Sequence, residues 1–287
     1  MNRDGTGSVK IDTGFSPSFS PEGTQIAYSR GTNSIYDVYV ADSDGSGGIR
    51  KVTNNPGDNF TAGADWDKSP CGGAGGDTDG DALCDDWETG GLTVNVNSVP
   101  VFLNLPAMGA NPQRKDIFVQ TDYMVASSHT HEPALGPINF LVGVLRKAPV
   151  NNPDGSKGIN LRVDCGPDCI MDPVTGATWG PMSKAQALQH LDYMNDWATF
   201  DGIKKSRFPG ERAPAFHYAI FAHSQEPGNT HSGLSRHGPS SDFMVTLGSF
   251  ANMVGTTWEQ AGTFMHELGQ NLGLHHGGDT DDNHKPN

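Results

Sequence analysis

The stretch that decides the fold is "TTWEQAGTFMHELGQNLGLHHGG", residues 256–278, near the end of the 287-residue chain. As far as Gly273 it reads as one helix. Thr256 with Glu259 makes a capping box at its start, and Gly273 can end it in a left-handed turn. Residues four apart on a helix stack on one face, so side chains at 266 and 270 can reach a single ion. His266 opens the pattern H-E-x-x-H-x-x-G-x-x-H, and Glu267, Gly273 and His276 fill other required offsets. The spacing has a chemical reason. Two imidazoles one turn apart can hold zinc, and the Glu after the first points toward a metal-bound water as general base. The Gly lets the chain turn sharply so that a third His comes back as a ligand. Three protein ligands leave a fourth position for water, whose pKa the ion lowers to about 7. Gln270 stands where the second His belongs. Its carbonyl is neutral and hard, whereas zinc prefers nitrogen and sulfur, so metal affinity falls unless something replaces the imidazole. His275, beside His276, is a candidate substitute, and a water is another.

Upstream of this helix the pattern is that of a mixed α/β domain. "KDIFVQTDYM" (115–124) reads as a strand, and "GPINFLVGVLRKA" (136–148) as a buried helix with Pro137 in its first turn. "INLRVDC" alternates through Ile159, Leu161 and Val163. "SKAQALQHLDYMNDWATF" (183–200) has the spacing of an amphipathic helix capped by Ser183, with Leu188, Leu191 and Met194 on one side. "FHYAIFAHS" and "SDFMVTLGSF" are further strands, the second with Phe243, Val245 and Leu247 on one face. His217, His223, His231 and His237 lie in this region; surface or packing roles are expected of them, although any could replace the ligand missing at Gln270.

The signature, with the β-α-β-α-β-β-α order before it, resembles the metzincin superfamily of zinc endopeptidases over roughly residues 115–287. The resemblance implies an α/β (α+β) fold: an upper subdomain with a mixed sheet, a backing helix and an active-site helix. It implies Zn2+ at His266, Gln270 and His276, with Glu267 as catalytic base, and a peptide substrate lying extended along "SDFMVTLGSF" as the sheet edge. Metzincins continue into a lower subdomain with a methionine-containing turn under the metal. This chain ends at Asn287, and no methionine follows Met265, so that part is expected to be missing.

A second cation is expected earlier. "DTDGDALCDDWE" places Asp77, Asp79, Asp81, Asp85 and Glu88 at positions 1, 3, 5, 9 and 12 of a twelve-residue loop, with the Leu83 carbonyl at position 7. That is the oxygen spacing of an EF-hand-type Ca2+ loop, except that position 6, usually Gly, is Ala82. The segment resembles dockerin and thrombospondin type 3 calcium repeats, and a stiffening role follows. "GGDTDDN" (277–283) is a weaker cation candidate.

The first seventy residues differ again. "QIAYS" and "YDVYVA" alternate like strands between the turn-rich "SPEG" and "DSDGSG", and Phe15 and Phe60 mark a period near 45. This resembles one blade of a TolB-like β-propeller, which implies a structural remnant. The expected organisation is therefore a small all-β blade over 1–68, an acidic calcium joint over 69–100, and a metallohydrolase domain over 101–287, truncated at its C-terminus.

Composition sets the remaining bounds. With 19 Lys+Arg against 33 Asp+Glu the net charge is −14, which argues against nucleic acid or an anionic membrane as partner. No apolar run approaches the roughly 20 residues of a membrane helix. Gly (37) and Pro (19) are abundant, so many loops are expected. Four cysteines form two local pairs, Cys71 with Cys84 and Cys165 with Cys169, read as disulfide loops of an oxidising, extracellular compartment. The N-terminus has no apolar signal core, so the chain reads as a piece of a longer secreted protein. Two alternatives stay open: a protease-fold module with only a binding or scaffold role, and a metal-dependent hydrolase of other carbonyl compounds such as esters.

Overall fold

The computed structural model describes residues 10–19, 25–32, 35–53, 71, 76–236 and 241–274. The chain divides into two compact units, Met1–Gly72 and Gly73–Asn287. The first holds a four-stranded antiparallel sheet, β1 (Phe15–Phe19), β2 (Gln25–Thr32), β3 (Ile35–Asp42) and β4 (Arg50–Lys51), in sequential order. Ala27, Tyr28, Val40 and Ala41 are buried there. Phe60, which the expected repeat uses, lies outside the described residues.

The second unit is mixed α+β. It opens with α1 (Asp85–Gly90) and a hairpin of β5 (Leu92–Val96) and β6 (Val99–Leu103). The main sheet then begins with β7 (Asp116–Val125), followed by α2 (Leu135–Leu145) and β8 (Asn160–Asp164). A small ribbon of β9 (Ile170–Asp172) and β10 (Ala177–Thr178) precedes β11 (Ala187–Gln189) and α3 (Trp197–Arg207). The chain continues through β12 (Phe216–Ala222), β13 (Gly233–Ser235) and β14 (Asp242–Thr246) to α4 (Thr257–Asn271). In the main sheet β8 and β11 both pair with β7, and the order runs on through β12 and β14 to β13. Every pairing is parallel except that of β13, which runs antiparallel along β14.

Parallel strands covered on both faces read as nearly unbroken apolar runs, which explains "FHYAIFA" and "DFMVT". Alternate residues serve two cores. Phe216, Ala219, Phe221, Phe243 and Val245 meet Leu141 of α2 and Phe264 of α4 on one face. Tyr218, Ile220 and Met244 meet Phe200 of α3 on the other. Helices therefore cover both sides of the sheet. Among the described residues no helix is long and apolar enough to cross a membrane. Cys165 and Cys169 are joined in a disulfide, and Cys71 and Cys84 are disulfide-bonded as well.

Two expectations need correction. Residues 183–200 do not form one helix. Ser183 Oγ donates to Asp164 Oδ1 (2.6 Å), Lys184 N to Asp164 Oδ2 (2.7 Å) and Gln186 N to Asp122 Oδ1 (2.9 Å), which holds this segment extended. It then pairs as β11 with β7, burying Leu188, and the helix starts only at Trp197 behind the N-cap Asp196. Partners for buried carboxylates outweigh a local helical preference worth only tenths of a kcal/mol per residue. The strand in "SDFMVTLGSF" is also not an edge. As β14 it is enclosed between β12 and β13, and among the described residues the edge on that side is β13.

Candidate functional site

Helix α4 carries the signature, and its ends are built as the sequence implies. Thr256 Oγ1 accepts from Glu259 N, and Thr256 N donates to Glu259 Oε2 at 2.6 Å. At the other end Gly273 has φ +87°, with Leu274 N donating to Gly269 O and Gly273 N to Gln270 O. This nested pair of bonds is the Schellman closure, in which a left-handed Gly satisfies the last carbonyls. Between them, Ala261, Phe264 and Leu268 face the core.

His266 and Gln270 are one turn apart and meet: the Gln270 amide nitrogen is 3.0 Å from His266 Nε2. Glu267 is only 4 % exposed, and its Oε2 has no hydrogen-bond partner. Burial pushes its carboxyl up to about 7. A cleft of about 670 Å³ runs between β13 and α4, lined among others by His231, Leu234, Phe250, His266, Glu267 and Gln270. The structure thus brings together three of the residues expected around zinc. His275 and His276, the proposed remaining ligands, lie outside the described residues, as do His237 and the acidic stretch 277–283. His217 is turned away to Asn271, 3.2 Å from its Oδ1.

The acidic loop folds around its own carboxylates. Asp77 accepts from the backbone N–H groups of Gly80, Asp81 and Ala82, and Asp81 Oδ1 accepts from Leu83 N. Carboxylate oxygens of Asp77, Asp79 and Asp81 gather within 4.8 Å of one another, and so do those of Asp81, Glu88 and Asp116. Glu88 is 2 % exposed, and neither of its oxygens has a partner. Burial, reinforced by the carboxylates of Asp81, Asp79, Asp116 and Asp85, pushes Glu88 up to about 9. Burial likewise raises Asp81 to about 7. Such orphaned, crowded oxygens suit a hard divalent cation, which takes six to eight oxygen ligands. Asp85 points elsewhere: it accepts from Thr78 N (2.8 Å) and Thr78 Oγ1 (2.6 Å). Asp116 was not expected here, because it comes from β7, far outside the loop's local spacing.

A third group was missed. One ring nitrogen each of His129, His131, His190 and His223 lies within 4.8 Å of the others, and the six ring-centroid separations run from 4.8 to 5.8 Å. Topology explains the convergence. β7, β11 and β12 are parallel, so their carboxyl ends share one rim. His190 directly follows β11 and His223 directly follows β12. His129 and His131 come from the turn after β7, where Ala126 N donates to His129 O and His131 N to Met124 O. In open α/β sheets this rim is where ligands bind. His131 is buried, and burial and then the neighbouring imidazoles hold its pKa down at about 3. Its sequence signals are the H-x-H pair and an imidazole immediately after each apolar strand.

Comparison with protein-family models, with curated proteins and with solved structures finds no match for this chain.

Proposed function

We propose that the second unit is a zinc-dependent hydrolase of peptide bonds, related to metzincins, with its reacting centre in the cleft between β13 and α4. The observation that carries this reading is Glu267. It is a buried carboxylate with an unpartnered oxygen, adjacent in sequence to His266 and opening on a cleft. A buried, uncompensated carboxylate costs stability, so a chemical use is the economical explanation of its presence.

His266, Gln270 and His276 would hold the ion. Zinc supplies polarisation of a carbonyl and a nucleophilic water near neutral pH. The chain's own part follows from position. Glu267 takes the proton of the attacking water and passes it to the leaving amine. The low-dielectric pocket that raises its basicity suits a group that must accept and then release a proton near neutrality. Antiparallel β13, the edge strand beside α4, offers backbone groups to an extended peptide. The acidic loop would hold Ca2+ through Asp77, Asp79, Asp81 and Glu88, joined by Asp116. Two disulfides accord with an extracellular site of action.

Metal analysis with a peptidase assay tests the reading. Bound zinc and chelator-sensitive cleavage that disappears in Glu267→Ala are expected. A folded protein that binds no zinc at α4 and cleaves nothing would instead be a binding module, a reading that the neutral Gln270 beside His266 favours.

A further inference from the structure

The four imidazoles on the carboxyl rim of the sheet carry an inference that does not rest on the reading of α4. His129 Nε2 is 3.2 Å from His131 Nε2 and 3.3 Å from His223 Nδ1, and the last two are 3.2 Å apart. Hydrogen bonding cannot account for this triangle. A ring nitrogen carries either a proton or a lone pair, so among three at least two are alike. One side of the triangle then sets donor against donor or lone pair against lone pair. A shared cation satisfies all three at once.

The dimensions choose its geometry. Zinc–nitrogen bonds of about 2.0–2.1 Å place tetrahedral ligand atoms about 3.3–3.4 Å apart, whereas a square plane of similar bonds places neighbours about 2.9 Å apart. The observed sides fit the tetrahedron. His190 supplies the fourth ligand: one of its ring nitrogens lies within 4.8 Å of the other three, its Nε2 is buried without a hydrogen-bond partner, and its Nδ1 faces Asp192 Oδ1 at 3.5 Å. Ser128 Oγ lies 3.0 Å from the outer nitrogen of His129. Contacts to outer nitrogens fix the tautomer that leaves the inner lone pair for a metal. Gly248 closes in behind, where a Cβ would come 2.7 Å from the His223 ring.

We propose that His129, His131, His190 and His223 bind one tetrahedral Zn2+ in a structural role, tying together the ends of β7, β11 and β12. Four protein ligands close the coordination shell, and structural zinc differs from catalytic zinc in this respect. An all-nitrogen set also rejects Ca2+ and Mg2+, which take oxygen.

The test uses the full chain with His266→Ala, which disables the α4 site. Chelator-stripped protein is reloaded with Zn2+ and its metal counted after dialysis; Co2+ is loaded in parallel. One zinc per chain, a higher Tm with zinc than without, and the intense visible absorption of tetrahedral Co2+ are expected. Adding His131→Ala and His223→Ala removes the zinc and the absorption. Zinc retained in that variant would overturn the proposal, and so would no zinc, or weak octahedral Co2+ absorption, with all four histidines present. Should the added substitutions prevent folding, the Co2+ spectrum of the His266→Ala chain decides alone. Peptide cleavage is read separately, so failure of the α4 reading leaves this result intact.

Discussion

Gly233 on β13 leaves room for Glu267 on α4: a Cβ built on Gly233 would lie 2.7 Å from both Cγ and Oε1 of Glu267. The same Cβ would lie 2.8 Å from the backbone oxygen of Met244, so it could not move aside toward β14. The position of the carboxylate therefore depends on the absence of a side chain on the neighbouring edge strand.

Gly233→Ala accordingly displaces Glu267. Overpacking of this kind costs about 1–3 kcal/mol. We expect a lower Tm together with a loss of peptidase turnover larger than the stability change explains, measured at a temperature where the variant is fully folded. Unchanged turnover would remove Glu267 from the reaction.

Gln270→His restores the second imidazole at the position already in contact with His266. Zinc affinity at α4 should rise by more than the roughly 10–100-fold that changes outside the ligand shell produce. Competition with a chromophoric chelator measures this. An unchanged affinity would mean that another residue already completes the shell.

Ala82 occupies the left-handed region at φ +72°, at the loop position where calcium loops usually carry Gly. Ala82→Gly relieves about 1–2 kcal/mol of strain, against about 0.4–1 kcal/mol of added freedom in the unfolded chain. A net gain of between zero and about 1.5 kcal/mol is expected in denaturant unfolding.

The cation-free chain should lose stability as pH rises. Glu88 titrates near 9 and Asp81 near 7 when folded, both above the unfolded carboxyl range of about 4. A raised folded pKa gives stability that is fully present below the unfolded value and is lost as pH rises through the folded one. Tm without calcium should fall between about pH 5 and 9, and added calcium should raise it most at the alkaline end. Glu88→Gln should flatten both responses.

Arg212 and Asp164 form a buried ion pair at 2.7 Å, with side chains 1 % and 0 % exposed. Arg212→Ala leaves the Asp164 carboxylate with neutral donors, Ser183 Oγ and the backbone N–H groups of Lys184 and Gly166, and it strips a donor from Gln120 Oε1. Breaking such a pair from one side costs about 3–5 kcal/mol, a loss that urea unfolding resolves.

What was legible in the sequence was local. The caps of α4 follow from Thr256, Glu259 and Gly273, residues that interact within a turn of one another. β12 and β14 announce themselves because both of their faces are covered. The segment 183–200 misled because its helical spacing is genuine, while the forces that hold it extended come from Asp122 and Asp164 on other strands. Asp116, His129, His131 and His190 escaped for the same reason, and His223 stood out only as a substitute ligand at α4. His129 and His223 are 94 positions apart, and only the parallel pairing of β7 with β12 brings them within 3.3 Å.

Strand β7 begins at Asp116, among the carboxylates, and leads at its far end into His129 and His131. Its ten residues span about 30 Å, nearly four Debye lengths of about 8 Å at physiological ionic strength. With the proposed ions bound, one strand would sort cations by hardness, oxygen-seeking ions at its head and nitrogen-seeking ions at its tail. Where water and salt reach both ends, filling one would leave the electrostatic potential at the other almost untouched.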